Sequence, residues 1–270
     1  MLRRREEPSE PAPQPLDGPW TEDPEFVKLY DVENQRLWDV DFYLELVEEL
    51  GAKRVLDIGC GTGVMALRLA QHRLQVTGVD PADAMIDIAE RRVREAGVSS
   101  RVELIRGTTA ETPASSFDFA LMMGHVAQYF LSRAEWDQVL ADTYRALAPG
   151  GWLAFESRNP QGMAADAWDE ESTRTTQPHP DGGEFASWLE VVGIAHDDAD
   201  GPLITARGHN IFPDGRHITA DEPLRYRPLP VLHKSLEQAG FVVEEVWGDW
   251  DRSPVEPDSP ELIILACRPR

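Results

Sequence analysis

Cysteine is scarce: the 270 residues hold only Cys60 and Cys267. Two thiols sustain neither a disulfide framework nor a zinc site. Long apolar runs are missing as well, and none approaches the roughly 20 residues needed to span a bilayer. The opening stretch MLRRREEPSEP is basic but has no apolar segment behind it. No secretory signal is expected, and the expected location is cytoplasmic. Positive charge is in deficit: 26 Lys and Arg face 48 Asp and Glu, a formal net charge of −22. Such a surface repels phosphate backbones and anionic lipid, so neither nucleic acid nor a membrane is expected as a partner. What is present, 41% hydrophobic residues with 8% aromatics, is the composition of a globular protein. The length suits one large domain, or one domain with an insertion.

Residues 1–24, rich in Pro, Glu and Asp, read as a solvated tail that includes Arg3, Arg4 and Arg5. Apolar positions at helical spacing, Phe42, Leu46 and Leu50 among them, predict one or two helices between Phe26 and Leu50. Strands then alternate with helices. Strands are expected at Arg54–Ile58, Leu74–Asp80, Val102–Gly107, Phe117–Met123 and Trp152–Ser157, with helices at Val64–Gln71, Ala82–Ala96 and Arg133–Leu147. That order argues a parallel, doubly wound sheet. It lapses after Asn159-Pro160. Residues 161–184 look irregular, and candidate strands follow at Phe185–Ala195, Leu203–Phe212 and Arg216–Pro223. Asp200-Gly201 and Asp214-Gly215 mark turns between them, which predicts an antiparallel meander inserted into the core. A helix at Pro230–Ala239 and strands at Phe241–Asp249 and Glu261–Arg268 close the chain. The expected organisation is a tail (1–24), a core (25–160 and 228–270) and a lid insertion (161–227).

The chemistry is concentrated in VLDIGCGTG, Val55 to Gly63. A strand runs into glycines at 59, 61 and 63 and then into a helix. Glycines let a ligand approach the main chain at a helix N-terminus. Asp57, near the strand end, is placed to orient this loop or to accept from a cationic amine. A dinucleotide fingerprint, G-x-G-x-x-G, would need glycine where Val64 stands. Asp80 ends the next strand, where a carboxylate takes both hydroxyls of a ribose. The pattern reads as a nucleoside site without a pyrophosphate seat.

Here the sequence resembles the class I S-adenosylmethionine-dependent methyltransferases, over roughly Tyr30 to Arg158. VLDIGCGTG matches the family's first motif, and GVDPADAMIDIA (Gly78–Ala89) the second. FDFALMMGHVAQYF (Phe117–Phe130) matches the fourth, and LAPGGWLAFE (Leu147–Glu156) the turn and strand after it. The resemblance implies an α/β fold: a Rossmann-like doubly wound sheet of seven strands, the last antiparallel, with the β-rich lid after the fifth. It implies S-adenosylmethionine as cofactor, with S-adenosylhomocysteine as product, over the C-terminal ends of the first strands. The implied cofactor contacts are Asp57, Gly59, Cys60, Gly61, Gly63 and Asp80. Pro81 and Met85 would flank the adenine, and Met123 and Gly124 follow the fourth strand. The family often has an acidic residue after the third strand; here Thr108 stands there, so Thr108 or Thr109 is the candidate adenine contact. Tyr30, in the pair Tyr30-Asp31, would cover the methionine end.

Methyl transfer from a sulfonium is an in-line displacement in which the protein supplies proximity and alignment. A hydroxyl acceptor usually needs a general base, most often histidine. His125, past the fourth strand where the family's substrate face begins, is the candidate catalytic residue; the competing reading is a histidine that organises its loop. Tyr129, Glu156 and Arg158 are candidate substrate-binding residues, with Glu156 otherwise pairing with Arg158. Arg225 and Arg227 would reach an anionic group or be solvated. His209, His217 and His233 lack metal-site spacing, so no metal is expected. The expected activity is transfer of a methyl group to an O or N atom of a small-molecule acceptor. A protein or RNA acceptor, or a non-catalytic S-adenosylmethionine binder, are the alternatives. The oligomeric state is left open.

Overall fold

A computed structural model describes residues 12–34, 38–162, 168–196 and 199–270. Two helices come first. α1 (Pro24–Glu33) starts where the Asp23 side chain accepts from the amides of Glu25 (2.8 Å) and Phe26 (3.3 Å), with Pro24 preset for the first helical position. α2 (Trp38–Glu49) buries Phe42, Tyr43, Leu46 and Val47. The core then runs β2 (Arg54–Ile58), α3 (Val64–Gln71), β3 (Gln75–Asp80), α4 (Asp83–Glu95), β4 (Val102–Arg106), β5 (Phe117–Met122), α5 (Arg133–Ala146) and β6 (Leu147–Arg158). After the insertion come α7 (Leu229–Ala239), β11 (Val242–Trp247) and β12 (Glu261–Cys267).

These strands form one seven-stranded sheet in the order β11-β12-β6-β5-β2-β3-β4. Only β12 is antiparallel, and it is so to both neighbours. Central strands are apolar on both sides because helices cover both faces. On one face Leu56, Ala120, Met122 and Phe155 pack with Trp136, Leu140 and Leu236 of α5 and α7. On the other, Val55, Phe119, Leu121 and Ala154 pack with Phe42, Val47, Met65 and Leu69 of α2 and α3. The parallel strands therefore end together on one edge, next to the glycine loop.

The insertion carries a short helix α6 (Glu170–Thr173), then β7 (Thr175–Pro178), β8 (Glu184–Ala195), β9 (Leu203–Ile211) and β10 (His217–Arg225). These are antiparallel, as the meander reading expected. β7 lies in the stretch expected to be irregular. It is a four-residue polar edge strand, too short to show alternation. A second departure concerns the expected tail. β1 (Gln14–Pro15) pairs in parallel with β10, and Trp20–Glu22 make a 3-10 turn. Leu16 and Trp20 pack against Phe26, Phe185 and Phe212, so local apolar contacts outweigh the proline-rich composition. Arg3, Arg4 and Arg5 lie outside the described residues.

Arg225 and Arg227 also depart from expectation. They are neither solvated nor in the cavity described below. Arg227 is buried, pairs with Asp200 at 2.8 Å and donates to the Phe130 carbonyl at 2.8 Å. Arg225 donates to the Leu131 carbonyl at 2.9 Å. Together they fasten the base of the lid to the loop before α5.

Candidate active site

Two groups of side chains meet at the C-terminal edge of the sheet. The first surrounds the glycine loop. Gly63, at φ +77°, is left-handed, and a Cβ there would sit 2.9 Å from the Ala89 Cβ of α4. It must be glycine for both reasons. Gly61 differs: a Cβ there would meet nothing nearer than the Met85 sulfur at 4.0 Å. The loop thus presents open main chain beside Met85. Asp80 braces it, with Oδ2 accepting from Gly61 N and Oδ1 from Ala82 N, each at 2.9 Å. Each carboxylate oxygen keeps a further lone pair for a hydroxyl.

Asp57 is buried beneath this loop, and its Oδ2 has no hydrogen-bond partner. Burial, reinforced by the charge of Asp80, pushes its carboxyl up to about 7. Burial likewise raises Asp80, against the pull of its two amides, and pushes the Cys60 thiol up. The open cradle at Gly61, the unmet acceptor on Asp57 and the carboxylate of Asp80 fit a ligand with a cationic amine and vicinal hydroxyls, as S-adenosylmethionine has.

α1 is clamped onto this loop. Thr62 Oγ1 donates to Asp31 at 2.7 Å, and Arg92 of α4 bridges Asp31 and Thr62. The clamp holds Tyr30 beside Gly124, its hydroxyl 3.8 Å from where a Cβ would be, and stacked on Trp20 at 5.6 Å. Burial, with Asp31 next, keeps the Tyr30 hydroxyl protonated by raising its pKa. Pro81 is exposed and Met85 buried at the start of α4. Thr109 is buried, while the exposed Thr108 spends its hydroxyl on a capping box, donating to Glu111 at 2.8 Å.

The second group lines a cavity of about 580 Å³ between the lid and the sheet edge. Tyr30, Met123, Gly124, His125, Tyr129, Glu156 and Arg158 all line it. Gly124 and His125 are both left-handed, at φ +77° and +61°. A histidine in that region is uncommon and is held by its surroundings. Glu156 does the holding. Fully buried, it accepts from the His125 amide at 2.6 Å and from the Tyr43 hydroxyl. Burial raises its pKa despite those bonds. Glu156 therefore pairs with Tyr43 and the His125 backbone, not with Arg158. Arg158 instead donates to Gln128 Oε1 at 3.1 Å and lies over the Trp168 ring at 5.2 Å.

The His125 ring meets Glu261 of β12, with Nε2 2.9 Å from Oε1. An ionised carboxylate only accepts, so the bond to Glu261 is made by a proton on Nε2. Tyr129 donates to Glu222 of the lid at 2.6 Å, and Trp20 donates to the same oxygen at 2.7 Å. Local sequence carries no signal for Tyr43, Glu222 or Glu261, because their partners are far along the chain. Among the described residues no group of three or more His, Cys, Asp or Glu is arranged to hold a metal. No described helix is long and apolar enough to cross a membrane.

Known proteins are similar to this chain in sequence and in fold. The family described as "Methyltransferase domain" matches residues 55–151. A Geobacillus protein named as a methyltransferase is 29% identical over 225 residues, covering 79% of this chain and 84% of its own length. A ubiquinone biosynthesis O-methyltransferase of Chromobacterium violaceum is 30% identical over 145 residues, 52% of this chain. That match spans 57% of the relative's length. The solved structure of the CcbJ methyltransferase from Streptomyces caelestis shares the fold, with a TM-score of 0.74 at 20% identity, covering 94% of this chain and 100% of that one. The matched domain covers the glycine loop and both acidic strand ends, and the sheet carries the antiparallel strand β12: over residues 55–151 the chain carries a methyltransferase domain.

Proposed function

We propose that this methyltransferase acts on an oxygen or nitrogen atom of a small molecule, received in the cavity beneath the lid formed by residues 161–227. The carrying observation is the enclosure itself. A space of about 580 Å³ has the size of small-ligand sites, and the lid strands roof it. An RNA or protein acceptor would favour a basic rim, whereas Arg158 is the only lysine or arginine among the described residues lining the cavity. A non-catalytic binder would favour a blocked acceptor pocket, and this one is open.

In this reading Asp57, the glycine loop, Asp80, Pro81 and Met85 hold S-adenosylmethionine, with Tyr30, Met123 and Gly124 at its methionine end. When bound, the cofactor supplies a sulfonium methyl group that is already activated. The chain need only align the acceptor and take its proton. His125 is the proton acceptor, through Nδ1, with Glu261 fixing the tautomer and orientation of the ring. Glu156 positions His125 through its amide and leaves the acceptor to Tyr129, Arg158 and the lid. The test is transfer of labelled methyl into a host extract separated by size. Label in the small-molecule fraction is expected; label confined to protein or RNA would contradict the reading.

Asp57 makes a separate prediction. With its carboxyl near 7, a cationic amine beside it favours the ionised form, so binding displaces a proton. Affinity for S-adenosylmethionine should rise as pH climbs through about 7, and protons should be released in that window. Calorimetry in two buffers of different ionisation heat measures this release. It should vanish in Asp57→Asn; an unchanged release would move the amine elsewhere. For the free chain the sign is opposite. Between 3.8 and about 7 the folded state holds the proton that the unfolded state has lost, so stability falls as pH rises through that range.

A further inference from the structure

Strand alternation decides what the lid shows the cavity. Asn210 of β9 pairs with Ser187 of β8, and Gly208 and Ala206 pair with Ala220 and Glu222 of β10. Paired residues share a face, as do those two apart along a strand. All six line the cavity. The centre of this face is small, with Ala206, Gly208 and Ala220, which leaves room for a ligand. Its polar groups sit to either side. Asn210 is only 6% exposed, and its Oδ1 has no hydrogen-bond partner. Gln177 of β7, which also lines the cavity, has a buried Oε1 in the same condition. Buried acceptors are nearly always satisfied, so these two call for a donor from the ligand.

The remaining lining agrees in sign. Glu33, Asp39, Glu222 and Glu261 line the cavity along with the clamped Asp31 and Glu156. Against these carboxylates, Arg158 is the only guanidinium among the described lining residues, and it is already engaged by Gln128 and Trp168. Glu222 accepts from Trp20 and Tyr129 on Oε1. Trp20, Tyr30, Trp38 and Trp250 supply aromatic wall, which attracts cations over the ring face.

We propose that the acceptor is a polar amine, entering as an ammonium with further N–H or O–H groups, seated between the lid face that carries Asn210 and Glu222 and the first turn of α2 that carries Asp39. The proposal rests on the methyltransferase reading above and narrows its acceptor. It also gives His125 its task, since an ammonium must lose a proton before nitrogen can attack. Glu222 discriminates charge, and Asn210 and Gln177 discriminate donor count.

The test uses the full chain and matched probes: glucosamine against glucose, and benzylamine against benzyl alcohol and benzoate. Tryptophan fluorescence reports binding, because several tryptophans line the cavity. At pH 7 each amine should bind at least about tenfold more tightly than its hydroxyl or carboxylate partner, with the preference shrinking as salt rises. Glu222→Gln should reduce the preference about fivefold or more. Asn210→Leu should weaken glucosamine more than benzylamine, and Asn210→Asp should strengthen both amines. Equal binding of amine and alcohol, tighter binding of benzoate, or no amine binding at 10 mM would overturn the proposal. S-adenosylhomocysteine binding is measured in parallel. Its absence would strike the methyltransferase reading, while the amine preference is read with or without it.

Discussion

Asp80→Ala should lower the affinity for S-adenosylmethionine by about a hundredfold or more while the chain stays folded. A carboxylate that receives two ribose hydroxyls makes two charge-assisted hydrogen bonds, each worth about 1.5–3 kcal/mol. Losing both gives a factor on the order of 10² to 10⁴. The side chain also accepts from Gly61 N and Ala82 N. Removing it should therefore cost about 1–3 kcal/mol of stability, since those amides lose a partner. Equilibrium dialysis measures the first effect and a thermal melt the second. Asp80→Asn separates them: it keeps the shape and one acceptor but replaces the other with a donor, so stability should recover more than affinity. A folded Asp80→Ala protein with undiminished affinity would remove Asp80 from the ribose site.

His125→Ala should cut kcat by about 10² to 10³, with cofactor affinity changed by no more than about twofold. The ring is the only imidazole that Glu261 orients, and no other described side chain lining the cavity pairs a proton acceptor with a buried orienting carboxylate in this way. The left-handed backbone at His125 gives alanine a small penalty of about 1 kcal/mol, which a thermal melt would show. Glu261→Gln makes the complementary case. It keeps a hydrogen bond to Nε2 but removes the charge, so the imidazolium loses its carboxylate partner and the rising limb of the pH–rate profile should shift to lower pH. A merely structural histidine would leave that profile in place. Full turnover in a folded His125→Ala protein would leave His125 as an organiser of its loop.

The parts that were legible from sequence are those whose causes are local. VLDIGCGTG showed its loop because glycine at 59, 61 and 63 answers a local backbone demand, and Gly63 meets that demand with a left-handed angle against Ala89. β8, β9 and β10 announced themselves by alternation and by Asp-Gly turns. β1 and β7 did not, since two to four polar residues carry no period. The active-site scaffold was less legible still. Trp20 reaches Glu222 across 202 positions, Tyr129 reaches the same residue across 93, and Tyr43 reaches Glu156 across 113. Such pairs come from topology, and neither partner's neighbours foretell them. Arg225 and Arg227 illustrate the point in reverse: charge suggested solvent, but carbonyls of the loop before α5 and the carboxylate of Asp200 receive them in the interior.

Calorimetric titration of the wild-type chain with S-adenosylmethionine tests the central claim most directly. The account predicts one site per chain, displaced by S-adenosylhomocysteine, with a proton released near pH 7. A folded chain that binds neither compound at millimolar concentration would contradict it.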